Sequence, residues 1–188
     1  SGQDNWKDSV APPVVDYLEK MKGSDLYNHL SAEYKWVQEY DGTKYPLQHM
    51  TVDGVIVQSG HVLLVRRRLM PGKGQIALPG GFVQSHETAE NAVLREIKEE
   101  TRIQVRKQVL RSHISSTHFF DEPNRSVRGR TFTLAYFIRL PDSTELPRVK
   151  GDDDAERAFW LPLGDLFMRE NEFFEDHLHI ISMFVNKF

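Results

Sequence analysis

The chain has 188 residues, 39% of them hydrophobic and 27% charged, and a formal net charge of -3. This is the make-up of one ordinary globular domain with some additional helix, and it offers no broad positive field to nucleic acid or an anionic membrane surface. With no cysteine, the chain can form neither disulfides nor thiolate metal sites, so carboxylates and imidazoles are the ligands left for a metal ion.

The opening residues "SGQDNWKDS" are too polar for a signal peptide, and no apolar run approaches the roughly 18 to 20 residues of a membrane span. A soluble, cytoplasmic protein is expected. Ser1-Gly2 reads as a cloning scar, which points to a fragment of something longer. Residues 11 to 42 read as helical: "APPVVDYLEKM" spaces Val14, Val15, Leu18 and Met21 on one face, and "SDLYNHLSAEYKWVQEYD" does so with Leu26, Leu30, Tyr34 and Val37. Ser24 suits the N-cap of the second helix. The expected division is a helical extension over residues 1–46 and the main domain over 47–188.

After "GTKYP" the period changes. "MTVDGVIV" and "HVLLVRR", separated by Gln58-Ser59-Gly60, read as a hairpin. The loop "LMPGKGQIALPGG" leads to a helix that Thr88 caps and that runs to about Thr101. "QVRKQVLRSHIS" and "RTFTLAYFIRL" read as strands, the second alternating through Phe132, Leu134, Tyr136 and Ile138. A short strand "RAFWLPL" and two helices, "GDLFMRE" and "EDHLHIISMFVNKF", close the chain. Strands and helices mix without regular βαβ alternation, which predicts an α/β sandwich with a mixed sheet.

On the helix after Thr88, residues three and four apart share a face, so Glu96, Glu99 and Glu100 fall within an arc of about 100°. Val93, Leu94 and Ile97 occupy the neighbouring arc and are expected to bury it. Like charges at this spacing repel by a few tenths of a kcal/mol per pair. A hard divalent cation removes that penalty, and Mg²⁺ prefers oxygen ligands in the company of phosphate. A solvated acidic face is the plainer reading of any Glu-rich helix.

The spacing around that helix is more specific. Gly81 is followed after five residues by Glu87, then after seven by Arg95-Glu96-Ile97, then by Glu99-Glu100 and Arg102-Ile103. This pattern resembles the Nudix box, the signature of hydrolases that cleave a nucleoside diphosphate linked to another moiety. The late glycine of the box is Arg102 here. A non-glycine residue at a helix-ending position with positive φ costs on the order of 1 kcal/mol, which touches stability more than chemistry.

The resemblance implies a Nudix fold, an α/β/α sandwich with a mixed sheet. It also implies that Glu96, Glu99 and Glu100 hold Mg²⁺, or Mn²⁺ in its place, helped by the backbone carbonyl of Gly80, while Arg95 and Glu87 form an orienting ion pair.

Beyond the box, "MTVDGVIV", "GHVLLVRRR", "PGKGQIALPGGF", "DEPNRSVRGRTFT", "DDDAERAFWLPL" and "FFEDHLHII" resemble the C-terminal domain of bifunctional nicotinamide mononucleotide adenylyltransferase/Nudix hydrolases. That likeness implies an ADP-ribose pyrophosphatase yielding AMP and ribose 5-phosphate. It also implies an N-terminal adenylyltransferase domain joined to this chain, while the resemblance to Nudix pyrophosphatases, often dimers, implies a homodimer.

In "DEPNRSVRGR", Arg125, Arg128 and Arg130 are suited to bidentate phosphate contacts and to stacking, and at least one is expected to touch the diphosphate or a ribose. Lys73 reads either as a phosphate contact or as a turn lysine. Asp53 reads either as a ribose or adenine contact or as an edge-strand or turn-facing Asp. Phe82, Phe119 and Phe120 read as adenine stackers or as core. From the late acidic loop, Asp154 and then Glu156 are expected as general base or additional metal ligand.

Three other readings remain. Adenylyl transfer finds only "ISST" at Ile114 to Thr117, with Phe120 where an arginine belongs. A non-catalytic ADP-ribose sensor would have eroded carboxylates. A different Nudix substrate, such as NADH, a nucleotide sugar or a diadenosine polyphosphate, fits the box equally.

Overall fold

The computed structural model describes residues 47–152 and 155–185, with isolated positions between 16 and 35. The helices expected over 11 to 42 therefore lie outside the described residues as elements. The described part of the main domain contains β1 (His49–Gln58), β2 (His61–Arg67), β3 (Ile76–Ala77), β4 (Gly80–Phe82), α1 (Ala89–Thr101), α2 (Lys107–Ser112), β5 (Ile114–Phe120), β6 (Thr131–Arg139), β7 (Ala155–Pro162) and α3 (His177–Val185). Short 3₁₀ turns at Leu163–Asp165 and Phe167–Glu172 link β7 to α3.

The sheet is mixed. Its order is β3-β2-β1-β6-β5, with β4 pairing β1 and β7 pairing β2. Strands β1 and β6 run parallel, with Asp53 opposite Ala135, and the other strand pairs are antiparallel. The β1–β2 hairpin turns on Ser59-Gly60, both at positive φ (46° and 72°), a two-residue turn whose twist matches the flanking strands.

Two helices cover the two faces. Val52, Ile56 and Leu63 pack with Val93, Leu94 and Ile97 of α1, while Val55, Val62 and Leu64 pack with Ile180, Ile181 and Phe184 of α3. Each such buried aliphatic side chain contributes about 1.5–3 kcal/mol of transfer free energy before chain entropy is counted. No helix among the described residues is long and apolar enough to cross a membrane.

Three expectations change. Residues 107–112 form a helix rather than part of a strand, because only Leu110 is buried there and no apolar alternation is available to hold a strand. In β6 the alternation through Leu134, Tyr136 and Ile138 marks the α1 side only, and Ala135 and Phe137 are equally buried beneath α3. "GDLFMRE" forms 3₁₀ turns rather than a helix, since Leu166 is buried while Phe167 and Met168 stay exposed, leaving one anchor instead of a stripe.

Candidate active site

Helix α1 begins where Thr88, in extended geometry, accepts a hydrogen bond on its side chain from Asn91 N–H at 3.2 Å. It ends at Arg102, which adopts the left-handed conformation (φ 46°, ψ 27°). The loop before β7 satisfies the carbonyls left over at that end: Asp152 N–H donates to Glu100 and Lys150 N–H to Thr101. The Arg102 guanidinium pairs with Asp152 on the surface.

The strain and the ion pair act in opposite directions, at about 1–2 kcal/mol and at most about 1 kcal/mol. Arg102→Gly is therefore expected to leave stability unchanged or raise it by up to about 2 kcal/mol, and to leave kcat unchanged. A urea titration together with a rate assay checks this, and a fall in kcat would mean that the helix end matters for chemistry.

Glu96 and Glu99 of α1, and Glu87 ahead of it, converge on Arg95. Its Nη2 donates to Glu87 Oε1 at 2.6 Å and to the Phe82 carbonyl at 3.3 Å, and its Nη1 donates to Glu96 Oε1 at 2.7 Å and Glu99 Oε2 at 3.0 Å. One cation thus holds a carboxylate from the preceding loop and two from its own helix. The hydrogen bond from Arg95 keeps the Glu87 carboxyl below the usual carboxylate range. Arg95 itself is pushed further up by the same bond.

Glu100 points the other way, into the protein. It is buried, and its Oε2 accepts a hydrogen bond from Gly80 N–H at 3.0 Å. Burial pushes its carboxyl up to about 8, against the lowering effect of that hydrogen bond, and nearby Glu96 adds to the rise. Arg67 of β2 is close enough to oppose it.

The main chain comes close to these groups. Added Cβ atoms would run into the Val52 carbonyl at Gly80 and into the Glu96 carboxylate at Gly81. Glycine is required at Gly80 by backbone approach, not by φ, whereas a side chain at Gly81 would displace the Glu96 carboxylate.

The Leu78–Gly80 turn is held from several sides. Pro79 O accepts from Gly54 N–H at 2.8 Å, and Leu78 N–H donates to His177 Nδ1 at 3.0 Å. Burial lowers the His177 pKa, so the ring is neutral with its proton on Nε2. His177 Nδ1 also lies 4.0 Å from Asp53 Oδ1. That separation is no ion pair, because an Nδ1 that accepts from Leu78 carries no proton to donate.

The candidate substrate residues divide. Phe82, whose carbonyl accepts from Arg95, is 45% exposed, with the Arg128 guanidinium 5.4 Å from its ring centroid and His49 edge-on at 5.6 Å. Arg125 is turned away from any ligand: its side chain is 2% exposed and grips Asp176 through Nε and Nη2 at 2.9 and 2.8 Å. Arg130 donates to the Asp121 carbonyl and lies over Phe132. Phe119 stacks on Phe132, and Phe120 is in the core. Lys73 is exposed in the β2–β3 loop.

Asp53 is neither an edge nor a turn residue. It is buried in a central strand, with Oδ2 accepting from Thr133 Oγ1 at 2.6 Å. Asp154 lies outside the described residues, and Glu156 is exposed on β7.

Arg67, Glu175 and His177 were not singled out from sequence. The signals that could have found them are a charge inside an apolar strand and an acidic pair preceding a helix.

The donor set suits a hard divalent cation: three carboxylates and no sulfur ligand. Among the described residues no three acidic or imidazole side chains converge as a ready cation site, and the geometry shows why. Arg95 Nη1 draws Glu96 and Glu99 together while Glu100 binds Gly80 N–H. The residues fit the group in kind, and Arg95 supplies the countercharge.

Residues 47–184 match the family model described as NUDIX domain. An ADP-ribose pyrophosphatase of Methanocaldococcus jannaschii is 36% identical over 135 residues, which span 70% of this chain and 74% of that one.

Among solved structures, a bifunctional NMN adenylyltransferase/ADP ribose pyrophosphatase of Francisella tularensis, complexed with AMP and a manganese ion, aligns with a TM-score of 0.74 at 34% identity. The alignment covers 92% of this chain and 52% of that one, so this chain spans about half the length of the Francisella protein. The NUDIX domain of Shewanella oneidensis NrtR, complexed with ADP ribose, aligns with a TM-score of 0.66 at 25% identity, covering 82% of this chain and 97% of that one. A carboxylate-bearing helix framed by Glu87 and Arg95 against the Gly80-Gly81 strand, in a domain matched almost end to end by that family model, places this chain in the Nudix family.

Proposed function

We propose that the chain hydrolyses the pyrophosphate bond of ADP-ribose to AMP and ribose 5-phosphate, with Mg²⁺ as the working cation and Mn²⁺ able to replace it. The observation that carries the reading is a juxtaposition. Arg95, which binds Glu96 and Glu99 of α1, also donates to the carbonyl of Phe82, whose half-exposed ring carries Arg128 over it, so one strand residue links groups for a charged diphosphate to groups for a flat or hydroxylated moiety. The ADP-ribose pyrophosphatase relative and the ADP ribose complex of the Shewanella domain support the same substrate.

Glu96, Glu99 and Glu100, with the Gly80 carbonyl, would hold the cation, which supplies charge neutralisation on the diphosphate and a lowered pKa for a bound water. Arg95 and Glu87 keep the helix face in register with the Phe82 strand. Arg128 and Phe82 orient the substrate. A water attacks one phosphorus in line, its proton passes to a carboxylate of the cluster, and the bridging phosphorus–oxygen bond breaks. Glu99 is the carboxylate open to solvent, at 45% side-chain exposure against 12% for Glu96, and is assigned that proton.

A homodimer, an adenylyltransferase domain ahead of this chain, and a cytoplasmic place in NAD metabolism complete the reading. The adenylyltransferase domain and the link to NAD metabolism rest on the likeness to the bifunctional proteins, and the dimer on the likeness to Nudix pyrophosphatases.

The test is AMP release with Mg²⁺ from ADP-ribose, set beside NADH, a nucleotide sugar and a diadenosine polyphosphate. The kcat/KM for ADP-ribose is expected to lead by at least about tenfold. A lead for another compound would reassign the substrate, and tight ADP-ribose binding without turnover would make the chain a sensor.

A further inference from the structure

Glu175, just ahead of α3, combines features that the chemistry above does not use. Its backbone is in the left-handed region at φ 45°, which a non-glycine residue adopts at a cost. Its carboxylate is nonetheless buried, with 6% side-chain exposure, and its bonds all go to one loop. Oε1 accepts from Ser126 Oγ at 2.8 Å and from Val127 N–H at 3.0 Å, and Oε2 lies 3.4 Å from Arg128 Nη2. Ser126 Oγ in turn accepts from Arg128 Nε at 3.1 Å.

The adjoining residues act in the same direction. Asp176 binds Arg125 of that loop, and His177 accepts from the Leu78 amide of the glycine turn. The loop so held delivers the Arg128 guanidinium to Phe82, whose carbonyl is bonded to Arg95.

We propose that Glu175 is a positioning residue for substrate binding: its carboxylate fixes the Ser126–Arg128 segment so that Arg128 is held over the Phe82 ring, where the two receive the substrate. The strained backbone is the means of aiming that side chain inward. Glycine at this position would relieve the backbone and lose the aim. This inference rests on the ADP-ribose reading for its kinetic arm only.

Glu175→Gly removes the carboxylate without adding backbone strain, because glycine accepts φ 45° freely. The lost hydrogen bonds to Ser126, Val127 and Arg128 outweigh the relieved strain, so the melting temperature is expected to fall while the chain stays folded, KM for ADP-ribose to rise about tenfold, and kcat to stay within about threefold. Glu175→Gln, which keeps an acceptor for Ser126 and Val127, is expected to show a smaller rise in KM. On an Arg128→Ala background, Glu175→Gly is expected to add nothing further to KM, as for two residues acting through one contact.

An unchanged KM in folded Glu175→Gly, or full additivity with Arg128→Ala, would overturn the proposal. A second readout does not use activity: amide exchange at Val127 is expected to quicken at least about tenfold in Glu175→Gly while α1 stays protected. If the unmodified chain releases no AMP, the substrate reading fails, and the Val127 exchange still decides the role of Glu175, with an unchanged rate sinking it.

Discussion

Glu99→Gln and Glu100→Gln are each expected to lower kcat for AMP release by about a hundredfold to a thousandfold, the usual loss when one preorganised charge is removed from a phosphoryl-transfer site. Glutamine keeps the shape and loses the anion. Activity that survives both substitutions would remove these carboxylates from the mechanism.

Glu100 carries a second signature, in stability. Its carboxyl is pushed up to about 8 in the fold from an ordinary value of 4.5, so the folded protein holds a proton there that the unfolded chain releases first. The contribution is fully present below about 4.5 and is lost as the pH rises toward 8, by up to a few kcal/mol without divalent cations. Glu87 has the opposite sign: its carboxyl is lowered by Arg95, so its contribution is present above the ordinary value and is lost as the pH falls through the folded one.

Urea midpoints in EDTA at pH 5.5 and 8 are expected to fall more steeply for the parent chain than for Glu100→Gln, which cannot ionise. Parallel slopes would show that Glu100 does not hold that proton.

Arg95→Met has the largest expected effect on the fold. It leaves Glu87 and Glu96, with side chains 10% and 12% exposed, and the more exposed Glu99 without their shared cation. Breaking a buried charge network by removing one partner costs about 3–5 kcal/mol. Because Glu96 and Glu99 are also proposed cation ligands, millimolar Mg²⁺ is expected to restore part of that loss, and Glu87→Gln on the same background is expected to restore more. Denaturation with EDTA and with Mg²⁺ checks both. A cost that Mg²⁺ leaves untouched would argue against those two glutamates as ligands.

Much of the site was legible because it is local. The 3.6-residue period puts Glu96 and Glu99 with Arg95 on a helix whose other side carries Val93, Leu94 and Ile97, and Thr88 and Arg102 mark its ends within a residue. The two-residue hairpin and the alternating strands are legible for the same reason: turn chemistry and pleat act over a few positions.

The α2 segment misled because Val105 and Val109 suggest a strand, whereas the buried contact is Leu110. Arg125 could not be separated from Arg128 by composition. The partner that decides it, Asp176, lies 51 residues further along the chain.

Spacing and residue type alone therefore settle the carboxylate face, its caps and the family to which the chain belongs. Sheet register and the return of the C-terminal segment decide the rest: Arg125 is engaged, Arg128 is presented, Asp53 is interior, and burial pushes the Glu100 carboxyl up. These properties depend on burial and on charges brought together from distant parts of the chain, and neither exists until β1 pairs with β4 and β6 and α3 closes over the sheet.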